Sequence, residues 1–471
     1  MAREAAADAE PGAVERLANW ALSIREEDIP AAAATRAKLL LLDTIGCGYA
    51  GIAEHAARGV VEATREAGGA PRCAVIGERW RTSLANAVFA NGVLIRALDL
   101  NDYTVAAKGV IGGHPSDNIP VALCAAEAAN AGGRALLAAI VVGYEVSQRL
   151  RAAMDRGSQW DGVTVSGAVA PVMAGRLLGL DNRRLAHALA LSLARAATPA
   201  VVRSGHISAA KSIANALVAQ SGVQAVELAR HGVTGPLAVM EHKRGLGGVF
   251  PNAAALAALD APLGALPYVT NAHVKAYPCL ATGQSVVAAG LALRRALGGD
   301  ISGVERVRVI LGENATTRDQ AFDAGRVDPR SREAADHSFN FLAAVSLLDG
   351  EFGLAQFDNE RWFNPEVRGV MAKLDIGLDQ GLADRARGPY PCAMEAALAD
   401  GSTQRVEMLA PPGYSAEGLD EGVVIDKFNA LTRDCLGAEA REKLVAAALG
   451  LDTAPSCAAL FAALKPRKDA R

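Results

Sequence analysis

Aromatic residues are scarce in this 471-residue chain, at 4%, with four Trp, seven Tyr and ten Phe. Its cores must therefore be filled by aliphatic side chains, and alanine, the strongest helix former, recurs in almost every segment. A helix-dominated protein is expected. Charge of one sign is also lacking: the formal net charge is −3, and Lys and Arg are spread along the chain. That leaves no footprint for a polyanion and argues against nucleic acid as a partner. The longest charge-free apolar run, 135–144, is about half the roughly 20 residues a bilayer span requires, so no membrane crossing is expected. The first twelve residues are acidic and Ala-rich, without the basic and apolar regions of a secretory signal, which makes the cytoplasm the expected location.

The seven cysteines, at 47, 73, 124, 279, 392, 435 and 457, never form CxxC or CxxxC pairs. Odd in number and widely spaced, they read as reduced, mostly buried thiols. A GxGxxG after a strand, a P-loop, an HExxH and a GxSxG with partners are all missing, which weighs against hydride transfer, phosphoryl transfer and metal hydrolysis. A metal centre would need His114, His206, His273 and His337 to converge without ligand-type spacing, so no metal is expected.

What is present is 51% hydrophobic and 21% charged, a globular composition, in a chain longer than the roughly 250–300 residues at which single cores stop growing. Two domains follow. An amphipathic pattern runs over 16–51, with Leu39 to Leu42 and Ile45 on a broad apolar face and Gly46 and Gly48 as breakers or close-packing points. Further helices are expected at 83–98, 120–129, 134–154, 166–180, 183–196 and 208–230. Asp181 fits an N-cap and His231-Gly232 a helix stop. After Ala261 the texture changes: prolines at 262, 267 and 278 break the helical rhythm, and strand-like runs follow at 304–310, 394–399 and 403–408, the last two joined by a turn at Asp400-Gly401. These predict an all-α domain over 1–266, a smaller α+β domain over 267–412, and C-terminal helices at 422–436, 438–449 and 455–464 that return to the first domain, completing it with 413–471.

The polar segment from Asp99 to His114 stands out because it lies between two apolar helices. Asp99, Asn101, Asp102, Tyr103 and Thr104 follow one helix, His114, Ser116, Asp117 and Asn118 precede the next, and a Gly-rich linker with Lys108, Gly109, Gly112 and Gly113 joins them. Buried polar groups need partners, either each other or a ligand. Capping would satisfy about half of them, with Asp99 and Asp102 as caps and Ser116 or Asp117 opening the next helix. The alternative is a site in which His114, held extended before Pro115, moves a proton near neutral pH. Lys211 sits at a helix start, where the dipole disfavours a cation, so it either binds a carboxylate or snorkels to water. Lys275, in KAYP, falls at the expected domain junction. Cys279 reads as a packed thiol before a nucleophile, Asp336-His337-Ser338 as a cap that could also reach the cleft, and Asp161, beside Trp160, as a loop end or a pocket wall.

Taken together, these segments resemble the MmgE/PrpD family. The matching stretches, in collinear order over roughly residues 10 to 450, are Leu42-Asp43-Thr44-Ile45-Gly46; Asn91-Gly92 leading to Ala97-Leu98-Asp99-Leu100-Asn101-Asp102; Gly113-His114-Pro115-Ser116-Asp117-Asn118; Gly143-Tyr144-Glu145-Val146; Leu178-Gly179-Leu180; Ala210-Lys211-Ser212; Gly232-Val233-Thr234-Gly235-Pro236; Lys275-Ala276-Tyr277-Pro278; and Asp336-His337-Ser338 running into Leu347-Leu348-Asp349-Gly350. The resemblance implies a mainly α fold with a large helical domain and an α+β lid, a homodimer, and chemistry on a small carboxylate without metal or organic cofactor. It implies Asp99, His114, Lys211 and Lys275 as catalytic residues: the two ammonium groups neutralise substrate carboxylates, Asp99 orients His114, and His114 moves the proton. Asn101, Asp102, Tyr103, Thr104, Ser116, Asp161 and His337 are the expected substrate-binding residues. Trp160-Asp161 stands where the family's decarboxylases carry His-Pro, which favours a 2-methylcitrate dehydratase-like hydro-lyase over a decarboxylase or epimerase using the same site. Tyr103 stands where the dehydratases usually have Thr. A catalytically silent helical binding or scaffold protein is the reading from another class.

Overall fold

The run Leu39 to Leu42 lies in the middle of a helix, Ala31–Gly51, that is buried on every side from Leu39 onward. A helix apolar all round belongs inside a core. It does not break at Gly46 or Gly48. Those positions are glycine because neighbours pack against them: an added Cβ would lie 3.2 Å from Phe428 at Gly46, 2.8 Å from Ile76 at Gly48, and 2.0 Å from the Leu94 carbonyl oxygen at Gly51. The expected single pattern over 16–51 is instead two helices, Ala13–Ser23 and Ala31–Gly51, separated by a short 3-10 turn ahead of Pro30.

The computed structural model describes residues 10–105, 111–154, 159–415 and 418–464; Lys108 and Gly109 lie outside the described residues. It is mainly α with small sheets. Around Ala31–Gly51 pack Leu84–Arg96, Gly133–Ala153 and Glu421–Thr432, and Ala210–Arg230 packs against Leu84–Arg96, Ser166–Leu177 and Asn182–Leu193. Val424, Phe428, Leu444 and Leu460 from the C-terminal helices lie in the same buried cluster as Leu17, Leu41 and Val141. Asp181 does cap its helix, accepting from the Arg184 N–H at 2.8 Å.

A second buried cluster, running from Cys279 to Ala396, lies against a four-stranded sheet ordered Leu374–Asp379, Val304–Gly312, Cys392–Leu398, Thr403–Met408. Only the Val304–Gly312 and Leu374–Asp379 pair is parallel. Gln284–Ala296 and Phe339–Asp349 pack together over this cluster. The strand Leu374–Asp379 has no expectation behind it: Leu-Asp-Ile-Gly-Leu-Asp is an edge strand, half-buried along most of its length, with Gly and Asp inside it.

The region expected to be all-α contains strands, which corrects that description. Cys73–Ala74 pairs with Arg81–Thr82, and Tyr103–Val105 forms the centre of a three-stranded antiparallel sheet between Ile111–Gly113 and Ala272–His273. Tyr103 and Thr104 are buried, so their strand pairs with Gly113, Ala272 and His273 instead of with water. Register then positions the site. With Tyr103 opposite His273 and the strands antiparallel, Lys275 is carried back toward Asp99.

Candidate active site

The helix Leu84–Arg96 ends just before Asp99, whose φ of +49° is left-handed, a conformation Asp tolerates better than most residues. That turn folds the carboxylate back onto Arg96, 2.5 Å away. Lys211, from the first turn of Ala210–Arg230, donates to the other Asp99 oxygen at 2.8 Å. Lys275 completes the set, donating to the Asp99 carboxylate and, at 2.7 Å, to its backbone carbonyl. Both lysines are fully buried, so neither snorkels to water. Burial pushes the Asp99 carboxyl upward, but Arg96, Lys211 and Lys275 outweigh it and hold the group well below the usual carboxylate range. Burial draws both ammonium groups down, opposed by Asp336 and Asp99 at Lys211 and by Asp99 at Lys275.

His114 occupies the point where the chain leaves the small sheet. Its Nδ1 is 2.6 Å from the Asp102 carbonyl oxygen. A carbonyl only accepts, so Nδ1 carries the hydrogen and Nε2 is left with its lone pair. Burial, then the nearby Arg96 and Lys275 charges, push the imidazole well below its ordinary pKa and keep it neutral.

Asn101, Asp102 and Ser116 form a buried network behind His114. Asn101 donates to Ser116 Oγ at 2.8 Å and to Asp117 at 2.7 Å, while Asp102 accepts from Ser116 Oγ at 2.5 Å and Tyr144 OH at 2.7 Å. Burial pushes the Asp102 carboxyl up to about 7. Asp102 also accepts from the Ser116 N–H at 3.2 Å, in the 3-10 turn Pro115–Asn118, whereas the expected capping roles of Asp99, Ser116 and Asp117 are displaced by bonds to Asn101, Asp102 and the cations. At the other motif, Ser338 does cap, accepting from Phe341 N–H at 3.1 Å, which frees Asp336 and His337 for the site. Asp336 lies between Arg332, at 2.8 Å, and Lys211, at 3.6 Å, and holds His337 Nδ1, while His337 Nε2 is 3.3 Å from Asp99. Burial and then Lys211 push the His337 imidazole down to about 3.

A cavity of about 300 Å³ opens onto this arrangement. Asp99, His114, Asp161 and His337 line it. Arg96, Lys211 and Lys275 stand behind Asp99 and are not among the lining residues. Tyr103 and Thr104 are also outside it: Tyr103 lies beside His273, which in turn stacks on Tyr414, and Thr104 sits over the Gly113 carbonyl. Asp161 accepts from Arg203 Nε at 2.7 Å and from Val163 N–H at 2.9 Å. Sequence reasoning missed Arg96, Arg151, Arg203 and Arg326, of which the last three line the cavity. Arg96 had a signal, since it lies one helical turn before Asp99; Arg151, Arg203 and Arg326, arginines on helical segments outside the polar motifs, have none.

The four histidines of a metal reading do not converge, because His206 is exposed and His273 lies between Tyr103 and Tyr414. Asp99, Asp336 and His337 do bring ligand atoms within 4.8 Å of one another. Arg96, Lys211, Lys275 and Arg332 already satisfy those carboxylates, so a metal ion there would have to displace an ammonium. Cys279 is buried beneath Gln284, and burial pushes its thiol well above the ordinary range, away from the thiolate a nucleophile needs.

Residues 15–257 match the MmgE/PrpD N-terminal domain and residues 277–452 the MmgE/PrpD C-terminal domain. Among similar proteins, cis-aconitate decarboxylase of Mus musculus is 26% identical over 91% of this chain and 88% of its own length. Cis-aconitate decarboxylase of Aspergillus terreus is 26% identical over 79% of each chain. The 2-methylcitrate dehydratase of Cupriavidus necator is 26% identical over 83% of this chain and 84% of its own length.

Proposed function

The chain belongs to the MmgE/PrpD family, and from that premise we propose that it is a lyase of small di- or tricarboxylates whose reaction is dehydration of a hydroxy acid. The observation that carries this reading is His114 on the wall of the cavity, with Nδ1–H fixed on the Asp102 carbonyl and an Nε2 lone pair left free to accept a proton. On the adjoining wall Asp99 is held by three cations, Arg96, Lys211 and Lys275, which stand behind it.

The chemistry follows from that charge distribution. A carbon–hydrogen bond next to a substrate carboxylate becomes acidic when the negative charge developing on that carboxylate is stabilised. His114 Nε2 takes the proton, the C–H electron pair becomes the carbon–carbon double bond, and the C–O bond to the neighbouring hydroxyl breaks. The imidazolium then returns its proton to the departing hydroxide, which leaves as water. In this reading Asp99 does not touch His114; it organises Arg96, Lys211 and Lys275, whose charges favour the anionic transition state.

The decarboxylase relatives give a second reading, in which the same cations stabilise a carbanion left by departing carbon dioxide. Against it stands the resemblance at Trp160-Asp161, read as replacing the decarboxylases' His-Pro, with Asp161 tied to Arg203. Incubation of the protein with 2-methylcitrate, citrate and related hydroxy acids, and with an unsaturated tricarboxylate, in the presence of a chelator separates the two. Ultraviolet absorbance of an unsaturated acid without carbon dioxide release is the expected result. Carbon dioxide release from an unsaturated tricarboxylate in place of dehydration would establish the decarboxylase, and neither signal across the series would remove the lyase reading.

A further inference from the structure

Arg96, Lys211 and Lys275 stand behind Asp99 and do not line the cavity, so substrate carboxylates must meet cations that do. Arg151, Arg203 and Arg326 line it. Arg203 Nε is engaged by Asp161. Arg326 differs: it is only 8% exposed, it gives one side-chain hydrogen bond, from Nη2 to the Arg203 carbonyl at 3.1 Å, and its Nε and Nη1 have no acceptor among the described residues. A guanidinium has five N–H donors, and burying it with donors unmet carries a cost that pairing with an anion would recover.

The position is built. Asp323 accepts from the Gly325 and Arg326 N–H groups at 3.0 and 3.2 Å, fixing the short helix Ala324–Val327. That helix lies directly on the loop after Arg203: a Cβ at Gly325 would be 2.1 Å from the Gly205 carbonyl oxygen, and Ser331 Oγ donates to the Ile207 carbonyl at 2.5 Å. The segment therefore holds Arg326 from the C-terminal half of the chain in a cavity that the N-terminal half supplies with His114.

We propose that Arg326 binds one carboxylate of the substrate while the reacting carbon lies at His114, so that the site selects acids with at least two carboxylates. The inference rests on the lyase reading of the same cavity. It also makes the substrate a bridge between the two halves of the chain.

The test is a cycle between protein and ligand, read by calorimetry on the full chain. Glutarate and butyrate differ by one carboxylate, and neither has a hydroxyl to eliminate. Wild-type protein is expected to prefer glutarate by about 30-fold, the scale of a charge-assisted hydrogen bond. In Arg326→Gln that preference falls below about threefold, and Arg326→Lys, which keeps the charge, restores part of it. An equal loss for both ligands would mark Arg326 as structural, and an unchanged preference would show it does not touch the ligand; either result overturns the proposal while leaving the lyase reading intact. If Arg326→Gln does not fold, the same comparison is made with Arg326→Lys, where an undiminished preference and a loss common to both acids each overturn it. Failure of the wild type to bind either acid overturns the proposal, and absence of both unsaturated product and carbon dioxide across the substrate series removes the lyase reading and the proposal with it.

Discussion

Lys211 Nζ donates to Asp99 Oδ2 at 2.8 Å across 112 positions of sequence, with both side chains buried. The pair ties the start of one core helix to the turn that ends another and fixes Asp99 in the cavity wall. Lys211→Met should cost about 3 kcal/mol of stability at neutral pH, because it leaves Asp99 with less compensation in the interior. The sign of its pH dependence follows from Asp99's depressed pKa: the stability exists above the unfolded carboxylate value and is lost as pH falls through the folded one. The variant's deficit in urea denaturation should therefore shrink toward acid pH; a deficit independent of pH would contradict the pairing.

His114→Gln tests the proton-transfer role. Gln can still donate to the Asp102 carbonyl but has no basic nitrogen, so turnover should fall by about 10²–10⁴-fold with little change in melting temperature. Retention of more than a tenth of the activity would argue for another base.

Two buried groups give opposite pH signatures. Burial, then Arg36, lowers His273 from 6.5 to about 4, so its contribution to stability is present above pH 6.5 and lost as pH falls toward 4. Relative to His273→Asn, the wild type should lose about 1.4 kcal/mol per pH unit across that window. Asp102 is raised from 3.8 to about 7, so its contribution is full below 3.8 and lost as pH rises through 7. Relative to Asp102→Asn, the wild type should gain stability on acidification between 7 and 4. Denaturation curves of the three proteins at several pH values check both slopes.

Cys279 offers a chemical control. A thiol buried at this depth and pushed above its ordinary pKa should resist iodoacetamide in the native protein, and Cys279→Ala should keep activity within about threefold. Stoichiometric inactivation by alkylation at Cys279, slowed by a dicarboxylate, would bring the nucleophile back into consideration.

The sequence by itself determined the helical majority, the Asp181 cap, the strands expected at 304–310, 394–399 and 403–408, and the crowding of polar residues from Asp99 to His114 between apolar helices. These are local properties: apolar periodicity, turn residues and polar residues crowded between apolar helices are all written within a few positions of one another. It also supplied the collinear motifs that mark the family. Tertiary structure alone decided what each polar residue touches. Asp99 looked as much like a cap as a site residue until Lys211 and Lys275 converged on it from 112 and 176 positions away. Tyr103 and Thr104 belong to the same polar stretch as Asp99, yet strand pairing sets them in the small sheet, with Tyr103 against His273 and outside the cavity. Arg203 and Arg326 carried no signal, since an isolated arginine in a short helical turn is ordinary until the packing of distant segments sets it against a cavity, in the case of Arg326 buried with donors unmet among the described residues. Burial and register depend on contacts between residues far apart in sequence, and these set the charge, the protonation and the reach of every group in the site.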